Sequence, residues 1–312
     1  MGELASAASS GAIRVTPRLP KMRSAAYFLG WVVVAYVFVR FSIGPWQSDA
    51  YWFWRMWDGG LYDRSWLEYG AYVYSPAFAQ AFWPLTLLPW TLVSAMWTGA
   101  QLMALVWMLG PALAAAALIV PWPSVDGYGN AVWATIYNGN PQILIAAAMV
   151  AGLRWPGAWS FVLLTKVTPG IGLLYFALRR EWRMLGVAMG ITGAVVFISS
   201  VVSPALWLEW IALLAEAATA DTLPKEPILP LTFAVRLPMA LGVITLASWR
   251  GWPWLVPVAS FLGLPAVQLG GFALLVAVPA LWLRSRPGSS GTQRPSTRMS
   301  SAGARGSLDA RA

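Results

Sequence analysis

AAYFLGWVVVAYVFVRFSIG, residues 25–44, carries a single charge, Arg40, near its end. About 20 apolar residues in one helix match the hydrocarbon thickness of a bilayer. The stretch therefore predicts a membrane-spanning helix. Residues 1–24 before it are too polar for a signal-peptide core, and Tyr27–Ile43 lacks a small-residue cleavage site, so it reads as a retained first span.

The rest of the chain repeats this pattern. Of 312 residues, 58% are hydrophobic and 11% charged, against about 25% charged in a soluble domain. Many of the 21 tryptophans flank apolar stretches, as rings anchored at a membrane interface do. Apolar segments recur at 75–89, 91–109, 112–122, 141–153, 158–178, 184–203, 231–249, 252–265 and 267–284. With the first, they predict an all-α integral membrane protein of about ten transmembrane helices, or eight if 75–89 and 112–122 do not cross fully.

Charge placement orients these spans. The net charge of +9 is concentrated in residues 1–24 and in the tail from Arg284 onward. Both ends are rich in Ser, Gly, Ala and Arg, a composition that cannot bury a core. Residues 1–24 and 285–312 are therefore expected to be disordered and cytoplasmic, flanking a membrane domain at 25–284, with Arg179, Arg180, Arg183 and Arg250 on the same side. No nucleic-acid partner is expected, because little net charge remains for the body. The outer loops would be 45–74 and 205–230, which hold eight of the 12 acids. The chain has no Cys and no His, which excludes thiol and imidazole chemistry and Cys/His metal sites. No glycine-rich phosphate loop is present, so no cytoplasmic nucleotide site is expected.

Three constellations stand out. Loop 45–74 gathers Asp49, Asp58, Asp63 and Glu68 among eleven aromatic residues. Ser48 can cap a helix from Asp49, and Gly59-Gly60 can end it. Its residues AYWFWRMW suit the lipid interface or a protein crevice. A straight helix puts Asp49 and Asp58 on opposite faces, so one carboxylate works alone. Asp49, at the membrane edge, is the candidate; Asp58 is divided between a turn and a substrate contact, and Asp63 and Glu68 read as solvated loop acids. The second constellation is LLTKVTPG, 163–170, which puts Lys166 inside the span 158–178 at a cost of about 2.5–3.5 kcal/mol. Such a lysine should face a cavity and meet an anion. The third is YNGNPQ, 137–142, where Asn138 and Asn140 could cap a helix or bond sugar hydroxyls and phosphate oxygens. Arg40 and Arg236 read as snorkelling or pairing with loop acids.

In their order, these pieces resemble glycosyltransferase family 87, the polyprenyl-phosphate-dependent enzymes of the membrane-embedded C superfamily. The resemblance rests on Asp49, Gly60-Leu61-Tyr62, Tyr72-Val73-Tyr74-Ser75-Pro76, the PLTLLP at 84–89, Gly139-Asn140, and Lys166-Val167-Thr168-Pro169. It covers roughly 25–185; beyond that the likeness is one of hydropathy. Ser75 stands where a second proline is common. The resemblance implies inverting transfer of a sugar, mannose first, from a polyprenyl-phosphate donor to a lipid or polysaccharide hydroxyl at the outer face of the cell membrane. Asp49 would be the catalytic base. Lys166, Asp58, Tyr62, Tyr74, Asn138 and Asn140 would bind substrate. Neither metal nor cofactor is implied. Two other classes stay open: a transporter or flippase of a lipid-linked substrate, and a non-catalytic partner in cell-envelope assembly.

The expected topology is directly testable in a chain that lacks cysteine. Cysteines introduced at Ser65 and Thr222 should react with an impermeant maleimide in intact cells, while one at Ser290 should not. Labelling at 290 without labelling at 65 would reverse the orientation.

Overall fold

The quoted stretch forms most of α1 (Leu19–Ser42) in the computed structural model of the chain, which describes residues 19–43, 47–65, 68, 70–121, 130–219 and 231–285. The terminal segments and the stretch 220–230, with Asp221 and Glu226, therefore lie outside the described residues. After α1 come α2 (Ser48–Arg55), α3 (Pro76–Thr86), α4 (Trp90–Leu109), α5 (Pro111–Ile119), α6 (Ala131–Asn138) and α7 (Gln142–Gly152). The second half holds α8 (Trp159–Thr165), α9 (Leu174–Leu178), α10 (Trp182–Val202), α11 (Pro204–Thr219), α12 (Phe233–Arg250), α13 (Val256–Leu262) and α14 (Ala277–Ser285). Short 3₁₀ segments lead into α8, α9, α13 and α14. No strand occurs among the described residues.

Only three of these helices, α4, α10 and the Met22–Ser42 part of α1, are long and apolar enough to cross a membrane by length and composition. The other apolar segments are shorter pieces. Proline explains much of this, because it lacks the N–H that continues a helix and its ring clashes with the preceding turn. Pro76, Pro111, Pro156, Pro169, Pro253 and Pro257 each stand at the start of a helical piece.

The expected span 158–178 is not one helix. α8 stops at Thr165, Lys166 is extended (φ −138°, ψ 115°), and a 3₁₀ segment, Thr168–Leu173, leads into α9. The two arms run antiparallel: a side chain at Gly170 would meet Leu163, and one at Gly172 would meet Trp159. Lys166 thus sits at the tip of a hairpin. Hydropathy could not reveal the reversal, since both arms are equally apolar. The stretch 253–285 is broken in the same way, between α13 and the 3₁₀ segment Leu269–Val276. The hairpins are tied together where Ser260 Oγ donates to Pro169 O (2.9 Å).

A helix that stops inside an apolar bundle strands carbonyls that need donors. Arg236 of α12 supplies them for the second tip. Its guanidinium, on a residue only 3% exposed, donates to the carbonyls of Leu231, Leu262, Leu264 and Pro265. This replaces the expected snorkelling or acid-paired arginine: three of the four carbonyls it reaches lie at the end of α13 and just beyond it.

Two apolar cores result. The larger joins α1, α4, α7, α8, α12, α13 and α14, among others, around Phe41, Leu105, Ile145, Trp159 and Ile244. The smaller is aromatic and joins α2, α3 and α4 around Phe53, Tyr72, Tyr74, Phe78, Phe82 and Trp97. Phe53 sits at its centre, edge-on to Tyr74 (5.1 Å), Phe78 (5.6 Å) and Trp97 (6.0 Å). Edge-to-face pairs of this kind add about 0.5–1.5 kcal/mol beyond burial. Of the two surroundings expected for α2, the protein crevice is the one that Ala50 and Phe53 occupy.

Arg236→Met should destabilise the protein by about 1.5–3 kcal/mol, the worth of hydrogen bonds to a charged group. Thermal unfolding in detergent would show it as a lowered melting temperature. An unchanged melting temperature would mean that the tip carbonyls do not depend on Arg236.

Candidate active site

The three constellations meet. Asp49 lies in the first turn of α2, half-buried, and its Oδ2 accepts a hydrogen bond from Asn140 Nδ2 (2.8 Å). The helix starts at Ser48, with Gln47 at the capping position and no side-chain cap, so Ser48 is not the expected N-cap. Ser48 lies close enough to Asp49 to oppose a rise in its pKa. α2 also ends at Arg55, before Gly59-Gly60.

What brings Asn140 to Asp49 is the end of α6. Gly139 adopts the left-handed conformation (φ 70°, ψ 24°). Its N–H donates to Ile136 O (3.1 Å) and that of Asn140 donates to Thr135 O (3.0 Å). This is the Schellman ending, which glycine favours. The missing side chain matters a second time, because a Cβ at Gly139 would lie 2.5 Å from Ala50 Cβ and 3.0 Å from Ala50 N. The turn can therefore press directly on α2. Trp97 Nε1 secures it from α4 by donating to Gly139 O (2.7 Å). Gln47 Nε2 donates to Thr98 Oγ1, fixing the start of α2 to the same helix.

Lys166 approaches from the hairpin tip. It is half-buried and interacts electrostatically with Asp49, yet among the described residues its amine has no hydrogen bond or ion pair within 4.0 Å. Ser75 holds the tip in place. Its Oγ donates to Leu164 O (2.6 Å) and accepts from Phe78 N–H (3.3 Å), so one hydroxyl caps α3 and grips the arm that ends at Lys166. Asn140 Oδ1 is buried without a partner, an acceptor available to a ligand. Burial pushes the Asp49 carboxyl above its ordinary value; Asn140, Lys166 and Ser48 oppose that shift.

Beside this centre runs an apolar groove of about 350 Å³ between α3, α8 and α10. Phe78, Phe82, Leu164 and Val195 wall it, and it reaches Thr165, next to Lys166. The centre is set in from the end of the bundle, since Trp97 is seven residues, or ~10 Å of helix, from the start of α4.

The other expected residues are placed differently. Tyr74 is buried and close enough to Asp49 for their charges to interact. Tyr62 donates its hydroxyl to Tyr74 O (2.8 Å) and so braces that segment. Asn138 occupies the last turn of α6, with no side-chain hydrogen bond among the described residues. Asp58 is not brought to Asp49. It is exposed, ion-paired with Arg55, and lines a separate cavity. Asp63 accepts from Gly60 N–H (2.8 Å) within a turn. No cluster of three or more potential metal-ligating side chains occurs among the described residues. Ser75 and Trp97 went unread in the sequence as site-building residues; the serine before Pro76 was the available signal, being a common helix start.

The chain matches the family model described as Glycosyltransferase family 87 over residues 72–301. The match takes in Ser75-Pro76, Gly139-Asn140 and Lys166, and extends well past 185, where the resemblance read from motifs ended. Asp49 lies before it. No curated protein and no solved structure matches the chain.

Gly139→Ala should lower the melting temperature, since a left-handed alanine costs roughly 1–2 kcal/mol and its methyl would push α2 away. Gly242→Ala in α12, where a Cβ meets nothing within 4 Å, should be neutral or stabilising. Equal melting temperatures for the two variants would mean that the turn does not press on α2 as described.

Proposed function

The chain belongs to glycosyltransferase family 87, and from that premise we propose that it moves a sugar, mannose first, from a polyprenyl-phosphate donor to a hydroxyl of a lipid or glycan acceptor at the outer face of the cell membrane. Both termini would be cytoplasmic, with loop 45–74 outside. Membership of the family makes the chain a glycosyltransferase; donor, sugar and acceptor are the proposal.

The single observation that carries it is the arrangement of Asp49 and Lys166. They are near enough to interact, yet among the described residues the lysine has no direct partner. A carboxylate and an unengaged ammonium, held on different elements, suit a reaction that takes up a proton at one place and releases a phosphate at another. In the proposed step the acceptor oxygen attacks the anomeric carbon as the bond from that carbon to the phosphate oxygen breaks. Asp49 takes the hydroxyl proton, and polyprenyl phosphate departs with the electron pair. The configuration inverts. Lys166 stabilises the charge growing on the departing phosphate, a contribution that is larger where water is scarce. Asn140 orients Asp49 with its amide, and its unpaired Oδ1 can accept from a sugar hydroxyl. Tyr74, Asn138, Tyr62 and Asp58 are the further proposed substrate contacts, Tyr74 being close to Asp49. The groove ending at Thr165 gives an isoprenoid chain an apolar bed beside the phosphate position.

Transfer should be assayed with purified protein, radiolabelled polyprenyl-phosphate mannose or arabinose, and an envelope-lipid extract. Asp49→Asn should fold normally and lose about 10²–10⁴-fold in rate, as expected for a general base. Because the base works ionised and burial raises its pKa, wild-type rate should climb with pH through a limb above the ordinary aspartate value of about 3.9. That limb should vanish in Asp49→Asn. Lys166→Met should chiefly weaken donor use. More than about a tenth of activity retained in Asp49→Asn would remove it as the base.

A further inference from the structure

We propose that the cavity walled by Trp52 is a saccharide subsite, holding the acceptor ring next to the one that Asp49 activates. This rests on the glycosyltransfer reading above, and makes the acceptor an already glycosylated molecule.

Position is the first reason. Asp49 and Trp52 are three residues apart on α2, so they are neighbours on one helix face, with ~5–6 Å between their Cβ atoms. The Trp52 ring opens onto a cavity of about 400 Å³ whose walls include Tyr51, Arg55, Asp58, Asp63 and Arg64. Tyr72 lines it as well, and its ring lies 5.7 Å from that of Tyr74, which neighbours Asp49. The cavity and the base are therefore joined along both α2 and the 72–74 segment.

Chemistry is the second. Two carboxylates and two guanidiniums line the cavity, so its charges balance. A phosphate would meet as much repulsion as attraction there, and an alkyl chain would strip water from four charged groups. A neutral polyhydroxylated ring meets acceptors in Asp58 and Asp63, donors in Arg55 and Arg64, and flat aromatic faces in Trp52 and Tyr51. The charged groups are already steadied: Arg55 by Asp58, Asp63 by Gly60 N–H, and Arg64 by stacking on Trp52 at 4.3 Å.

The third is the floor. Gly70 has φ +81°, and a Cβ there would lie 2.5 Å from both Arg64 Nη1 and Trp52 Cε2. Only glycine lets the backbone come this close without driving those two side chains into the cavity.

Binding separates this proposal from the transfer reading. Full-length protein in detergent, without donor, is titrated by saturation-transfer NMR with the methyl glycoside and the disaccharide of mannose, and with the same pair for arabinofuranose. In at least one pair the disaccharide should bind tenfold or more tightly than the monosaccharide. Trp52→Ala and the exposed Asp58→Asn should each erase that preference, whereas Lys166→Met should keep it. In the transfer assay Trp52→Ala should raise the acceptor KM at least tenfold and leave the donor KM unchanged. No preference in either sugar pair, or a preference that survives both cavity variants, overturns the subsite even if transfer is intact. Absence of transfer with any donor would sink the enzymatic reading alone, since disaccharide binding is scored without it.

Discussion

Helices that end inside an apolar bundle must find partners for the backbone groups they expose, and this requirement shapes the molecule. Water cannot supply the missing bonds there, and each unmade bond costs about 1–3 kcal/mol. The chain answers with a small set of polar side chains placed at breaks. Arg236 serves the tip after α13, Ser75 the arm before Lys166, and Trp97 the turn after α6. Asn130 does the same at the start of α6: it caps Trp133 N–H and donates to the carbonyls of Ala117, Leu118 and Val120. Arg236, Ser75 and Asn130 thus mark places where a helix was stopped, and stopping helices makes room for a site within the bundle.

The candidate site is where several of these breaks coincide. Asp49 comes from the start of α2, Asn140 from the Schellman turn after α6, and Lys166 from a hairpin tip. No two of the three share an element, so their mutual placement depends on tertiary contacts alone. Gly139 against Ala50, Ser75 on Leu164 O and Ser260 on Pro169 O are those contacts. Each is a backbone-level connection, which fixes position more tightly than long side chains meeting across a gap. This is the support that a reaction needing close orientation requires.

Much of this was legible in the sequence, though in pieces. Lys166 stood out because a charge in an apolar run carries an insertion cost. Asp58 was set apart from Asp49 by the spacing of one straight helix, but α2 ends at Arg55 and Asp58 lies beyond it, paired with Arg55. Asn140 was noticed as a cap or a ligand; its neighbour Gly139 makes the cap, and its own amide reaches Asp49. What could not be read was convergence. Asn140 is 91 residues from Asp49, and nothing in either local pattern names the other. The reversal at Lys166 was hidden for a different reason. Hydropathy measures how apolar a stretch is and carries no sign for direction, so two short arms add up to one apparent span. Thr168-Pro169-Gly170 is the local evidence for the break. Arg236 was misjudged because its partners are carbonyls, which leave no trace in composition.

The spacing of Asp49 and Lys166 bears on why the site is built from breaks at all. Had both charges stood on one helix at i, i+4, they would meet at every fluctuation and settle as an ion pair. A paired lysine offers little to a phosphate, and a carboxylate held by a cation is a poor base because the cation lowers its pKa. Placing the two on separate stops leaves Asn140 as the direct partner of Asp49. A neutral amide orients the carboxylate without cancelling its charge. Burial then raises the proton affinity of Asp49, while the Asn140 hydrogen bond and, after it, the more distant Lys166 moderate the rise. On the proposed chemistry this balance is the useful one, since the carboxylate must be ionised to begin and basic enough to take a proton. On the same proposal, the lysine reserves its charge for the phosphate that would arrive with the donor.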